Sequence, residues 1–153
     1  MIPMMKEAAR QEGIQMEYGG MIGNTRNSHR LIALADDNPE KQDTIVEALF
    51  HSFFEVNDDI SSVDVLSDIA VKCNVFKTKQ DAKAFFASDK GASQVDEKVD
   101  EAYKMGISGV PNFTFQNKFS INGAQEPLLL ERVIEKLLND NSAGFLPPTG
   151  NTC

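Results

Sequence analysis

The sequence predicts an α/β protein that is mostly helical: a run of helices, one β-hairpin, then one closing helix. Two observations predict it. Apolar residues recur at three- and four-residue steps through most of the chain up to Met105, the signature of amphipathic helices. Between Asn112 and Asn122 the period drops to two, the signature of half-buried strands, and after Gly123 it returns to the helical one.

The elements follow in chain order. Pro3 suits a first helical turn and Gly13 a helix end, which predicts a short helix over Met4–Glu12. Ile14–Tyr18 reads as extended, and Gly19-Gly20-Met21-Ile22-Gly23 as a flexible loop. Asn24 or Thr25 caps a helix running to about Ala35, with Leu31, Leu34 and Ala35 on its apolar side. Asn38-Pro39-Glu40 is a strong helix start, because a capping residue precedes a proline at the first helical position. Ile45, Val46, Leu49, Phe50, Phe53 and Phe54 make the following helix the clearest amphipathic one in the chain. Ser62–Cys73 presents Leu66, Ile69, Ala70 and Cys73 on one side. Thr78 with Asp81 forms a variant capping box that opens a helix to about Ser88. Gln94–Met105 carries Val95, Val99, Ala102 and Met105, and Gly106 stops it. Asn112–Gln116 and Lys118–Asn122 then alternate polar with apolar residues, joined by Gln116-Asn117-Lys118, where Asn offers a positive φ. Glu126–Leu138 is the closing helix, with Leu129, Leu130, Val133, Ile134, Leu137 and Leu138, and Asn139–Cys153 is a polar tail.

Composition narrows the function classes. At 41% hydrophobic and 25% charged, the 153-residue chain is that of an ordinary globular protein. A net charge of -8 argues against a nucleic-acid backbone or an anionic lipid surface as main partner, since both would repel it. No apolar run approaches a membrane span. The start, Met1-Ile2-Pro3-Met4-Met5-Lys6-Glu7, lacks a basic region followed by an apolar stretch, which predicts a cytoplasmic protein. The two cysteines, Cys73 and Cys153, are too far apart in sequence to form a redox pair or a metal knuckle. Cys73 falls in a helical pattern and reads as a small buried hydrophobe; Cys153 reads as an exposed thiol on the tail.

Three segments are more specific than periodicity. Gly106-Ile107-Ser108-Gly109-Val110-Pro111-Asn112-Phe113 leads into the hairpin, and Ile121-Asn122-Gly123-Ala124-Gln125 leads out of it. Upstream stands Asn24-Thr25-Arg26-Asn27-Ser28-His29-Arg30-Leu31. In this order the segments resemble the DsbA-like thioredoxin-fold family, and within it the FrnE-like branch. Leu49-Phe50 through Asp59-Ile60, and Val65-Leu66, resemble that branch's helical insertion. More distant is a likeness to kappa-class glutathione transferases and 2-hydroxychromene-2-carboxylate isomerases.

The resemblance implies one thioredoxin-like domain over residues 1–138, with a helical insertion at about 24–106, the thioredoxin remnant at about 107–138, and a flexible tail at 139–153. It implies that Pro111 is the cis-proline of the family, with Val110 offering its backbone N–H and C=O to an extended peptide or a small thiol compound. Gln125 is the position that, in the glutathione-using relatives, helps to hold the γ-glutamyl end. It implies no resident cofactor, with glutathione the one to consider, and the simpler reading of Gln125 is a helix cap. His29 reads as a structural hydrogen-bonder rather than a base.

One departure from the family pattern decides the chemistry. These proteins open with a strand and a Cys-x-x-Cys turn at a helix N-terminus, which lowers the pKa of the attacking thiol. Met1–Gly23 contains no such turn. The chain is therefore expected to carry no catalytic residue and to be redox-inactive alone, an N-terminally truncated form of the family pattern. The Asn112–Gln116 strand is expected to lack its usual parallel neighbour and to leave an open edge for self-association. Three functions follow: an incomplete oxidoreductase domain, a glutathione-binding transferase or isomerase, and a non-catalytic interaction module.

Overall fold

The computed structural model describes residues 2–116 and 119–139. Seven helices and one hairpin appear there: α1 (Ile2–Gln11), α2 (Arg26–Ala33), α3 (Pro39–Phe54), α4 (Val63–Lys72), α5 (Lys79–Phe86), α6 (Ala92–Lys104), β1 (Asn112–Phe115), β2 (Phe119–Asn122) and α7 (Pro127–Asn139). They fall into two compact units, Met1–Val99 and Asp100–Cys153. Residues 140–153, with most of the expected tail, and Asn117-Lys118 in the hairpin turn lie outside the described residues.

In the first unit, local chemistry starts α3 and α5 where the sequence expects it, whereas α1 and α6 each begin two residues earlier than expected. Asn38 caps α3, its side chain accepting from the Lys41 N–H at 3.1 Å, with Pro39 at the first helical position. Thr78 caps α5, its hydroxyl oxygen accepting from the Asp81 N–H at 3.1 Å while the hydroxyl donates to the Asp81 carboxylate at 2.6 Å. Before α2 the work is divided. Thr25 holds the cap position without a side-chain bond, and Asn24 Oδ1 takes the Arg26 N–H at 2.9 Å.

The core of this unit gathers Leu31 and Ala35, Ile45 and Leu49 of α3, Leu66, Ile69 and Ala70 of α4, Cys73, and Ala82, Phe85 and Phe86 of α5. Burying these apolar surfaces supplies the main stabilisation, on the order of 25 cal/mol per Å² removed from water. Two expected core positions are corrected. Leu34 is 46% exposed at the C-terminal cap of α2, where Leu31 and Ala35 are the apolar residues that are buried. Phe50 is 55% exposed, because the buried line of α3 runs through Ile45, Leu49 and Ser52; Phe50 instead stands edge-on to Phe54 at 5.9 Å.

The loop before α2 makes close contacts at two of its glycines. A Cβ on Gly20 would stand 3.0 Å from the Asn57 carbonyl oxygen, and one on Gly23 2.5 Å from Ser61 Cβ. The loop is seated on the Asn57–Ser61 turn, and its glycines permit the close approach. Ile14–Tyr18 joins no strand; the Glu17 N–H donates to the Phe54 carbonyl at 2.7 Å. The start of α6 is pinned through Asp36, which accepts from Gln94 at 2.7 Å and Lys98 at 2.6 Å, and through the ion pair of Arg26 with Asp96. Of the α6 stripe only Val95 is buried, and Val99 and Met105 are exposed.

The second unit carries the hairpin and α7. β1 and β2 pair antiparallel in the register Asn112 with Asn122, Phe113 with Ile121, Thr114 with Ser120 and Phe115 with Phe119. That register puts Phe113, Phe115, Phe119 and Ile121 on one face and Asn112, Thr114, Ser120 and Asn122 on the other. Among the described residues of the hairpin, Gln116 has a positive φ of 51°. No residue of α7 is buried, although its leucines follow a helical stripe. Among the described residues no helix is long and apolar enough to cross a membrane.

Candidate functional site: the Val110–Pro111 loop and the hairpin edge

The loop is built from the end of α6. Gly106, at φ 74°, donates its N–H to the Tyr103 carbonyl at 3.0 Å, and the Ile107 N–H reaches the Ala102 carbonyl at 3.0 Å. This paired arrangement satisfies the last carbonyls of the helix and turns the chain outward. Ile107–Gly109 then leads to Val110, whose peptide bond to Pro111 is cis and which is 90% exposed. The Pro111 carbonyl accepts from the Gly123 N–H at 2.8 Å, so the entry and exit of the hairpin are fastened together.

That bond also fixes which way the β1 backbone faces. In an antiparallel ladder the bonded pairs alternate. With Pro111 bonded to Gly123, the bonded partners are Phe113 with Ile121 and Phe115 with Phe119. The N–H and C=O groups of Asn112 and Thr114 therefore point away from β2. Among the described residues the sheet has two strands, so this edge has no strand partner there. Its side chains are hydrogen-bonded to one another: Asn112 Nδ2 donates to Ser120 Oγ at 2.9 Å and to Asn122 Oδ1 at 2.7 Å, and Thr114 donates to Asn112 Oδ1 at 3.1 Å.

Gln125 does not cap α7. Its Nε2 donates to the Asn122 carbonyl at 3.2 Å, locking the hairpin exit, while the Glu126 carbonyl receives the Leu129 N–H at 2.9 Å. The side chain is half-buried and bonds back to its own backbone turn. Val110, Pro111 and Gln125 thus belong to the same structural motif, with Val110 at its exposed point.

The family model of the DSBA-like thioredoxin domain matches residues 1–135. The chain belongs to the DSBA-like thioredoxin family. Its fold is accordingly the thioredoxin fold of that family, here mostly helical with a two-stranded antiparallel hairpin. No curated protein matches the chain.

For a DSBA-like chain the thiols are the first chemical question. Cys73 is buried in the first unit, its Sγ 3.8 Å from the Thr44 carbonyl, and burial pushes the thiol pKa above its ordinary value. A buried, protonated thiol is a poor nucleophile. Cys153 lies outside the described residues. His29 is exposed, and its described hydrogen bond is a backbone one, from its N–H to the Thr25 carbonyl at 3.1 Å.

Arg30, whose role periodicity does not reveal, matters most to the helical unit. It is 4% exposed, and its guanidinium donates to the carbonyls of Phe85 at 3.1 Å, Phe86 at 3.5 Å, Ser88 at 2.6 Å and Lys90 at 2.7 Å, and to Asn27 Oδ1 at 2.8 Å. It also lies over the Phe85 ring at 4.7 Å. The cation closes the C-terminal end of α5, where the helix dipole favours positive charge. The available signal was an arginine inside a helix whose neighbours at three- and four-residue spacing offer no carboxylate.

Proposed function

We propose that this chain is a thiol-disulfide oxidoreductase-family protein, of the FrnE-like branch, that docks extended peptides or small thiol compounds at Val110–Pro111 and performs no thiol-disulfide exchange alone. The observation that carries the reading is the juxtaposition of an almost fully exposed Val110 with the outward-facing backbone of Asn112 and Thr114. An extended peptide laid there gains main-chain hydrogen bonds, and its side chains meet the ordered Asn112–Ser120–Asn122 ladder. The absence of Cys-x-x-Cys from the sequence supports the second half of the proposal.

The same edge supports self-association. β1 and β2 carry no charged residue, and an uncharged strand edge does not repel a second copy. Glutathione binding gains no support at Gln125, whose described hydrogen bond goes to the Asn122 carbonyl of its own turn.

Docking is tested by titrating the full chain with alkylated insulin B chain, which has no free thiol, and following backbone amides by NMR. Saturable shifts at Val110, Asn112 and Thr114 are expected. Shifts confined to the helices, or none, overturn the docking assignment.

A further inference from the structure

A cleft of about 310 Å³ lies in the first unit, lined by Ala48, His51 and Ser52 of α3, Val56 and Asp58 of the following loop, and Val65, Asp68, Ile69 and Lys72 of α4. Its volume is at the lower end of small-ligand sites, about 300–1,000 Å³. The α4 residues recur at three- and four-residue steps, so they share one helix face and extend the cleft over roughly 10 Å. Ala48, Val56, Val65 and Ile69 supply apolar surface.

The polar groups are not equivalent. Asp68 is already paired with Lys79 at 2.7 Å. His51 Nδ1 is held by Glu55 at 2.9 Å, which leaves Nε2 unused by that pair. Asp58 accepts one hydrogen bond, from the buried Ser52 hydroxyl at 2.6 Å, and its N–H donates to the Ser52 carbonyl at 2.9 Å, so the carboxylate is fixed in place. Lys72 has no ion-pair partner among the described residues. One positioned carboxylate and one lysine without an ion-pair partner among the described residues therefore line the same partly apolar cleft.

From this pattern we infer that the α3–α4 cleft binds a small zwitterion, an amino acid or dipeptide with both termini free, its ammonium group on Asp58 and its carboxylate on Lys72. Ser52 orients Asp58, and the apolar lining takes an aliphatic side chain. This site is independent of the Val110–Pro111 loop.

The test is an NMR titration of the full chain with alanyl-leucine, with leucine, and with N-acetyl-alanyl-leucine and alanyl-leucine amide, which each lack one charge. Saturable shifts at Ala48–Ser52, Val56–Asp58 and Val65–Lys72 are expected with the unmodified dipeptide or leucine, whichever length fits. Each blocked dipeptide is expected to bind about tenfold more weakly, the order of one charge-assisted hydrogen bond. Lys72→Met is expected to erase discrimination against the amide, and Asp58→Asn discrimination against the acetylated form. Both variants are checked for unchanged helical content. No saturable shift with either zwitterion at up to about 20 mM, far above the millimolar range of weak ligands, overturns the inference. Where the free dipeptide binds, equal binding of its blocked forms overturns it too.

Discussion

Replacing Arg30 with methionine keeps most of the side-chain volume and removes every donor. Four backbone carbonyls, those of Phe85, Phe86, Ser88 and Lys90, and the Asn27 amide oxygen then lose a partner. A hydrogen bond from a charged donor contributes about 1.5–3 kcal/mol, and a buried acceptor left unpaired costs about 1–3 kcal/mol. The bonds share one guanidinium and relax together, so the losses do not add. A total of about 3–5 kcal/mol is expected, the range seen when one partner of a buried charged network is deleted. Against a usual stability of about 5–15 kcal/mol this is a large fraction. Arg30→Lys retains the charge but offers one nitrogen to acceptors spread around a planar fork, so it is expected to recover only part of the loss. Urea unfolding followed by far-UV circular dichroism reads these differences. If Arg30→Met lies within about 1 kcal/mol of the wild type, the ordinary value of a single hydrogen bond, the assignment of Arg30 as the closure of α5 is refuted.

Three further outcomes follow from the same structure. Gly23→Ala forces a Cβ onto Ser61 and is expected to cost about 1–3 kcal/mol, with much of it restored by adding Ser61→Gly; no restoration in the double variant contradicts the seating of the loop. Asp36 is held below the usual carboxylate range, chiefly by its hydrogen bond from Lys98. Its contribution is therefore present above the unfolded value of about 3.9 and lost as the pH falls through the lower folded value. Because Lys98 is half-exposed, the effect is below about 1 kcal/mol; Asp36→Asn should flatten the acid limb of urea stability, and an unchanged limb argues against the pair. In a Cys153→Ser background, Cys73 should resist a disulfide reagent in the native state and react in denaturant; fast native labelling contradicts its burial.

Much of the helical unit was legible because its signals are local. Asn38-Pro39 and Thr78 with Asp81 fix helix starts through bonds spanning three residues, and the Leu66–Ile69–Ala70 stripe fixes a face. Leu34 and Phe50 were misplaced because periodicity allows several neighbouring stripes on one helix. Which stripe is buried is set by packing against the other helices, and no local signal specifies it. The Gly20 and Gly23 contacts and the α3–α4 cleft are equally non-local. At the loop, the motif Gly-Val-Pro was readable as a string, whereas the outward direction of the Asn112 and Thr114 backbone groups depends on the Pro111–Gly123 bond. Gln125 was placed correctly beside the closing helix, but its bond goes back to Asn122.

The central claim, a DSBA-like thioredoxin domain without thiol-disulfide exchange of its own, is tested most directly by insulin reduction with added dithiol. The predicted precipitation rate equals that of dithiol alone, for the wild type and for Cys153→Ser alike. Acceleration by the wild type that disappears in Cys153→Ser would contradict the account and give the chain a working thiol.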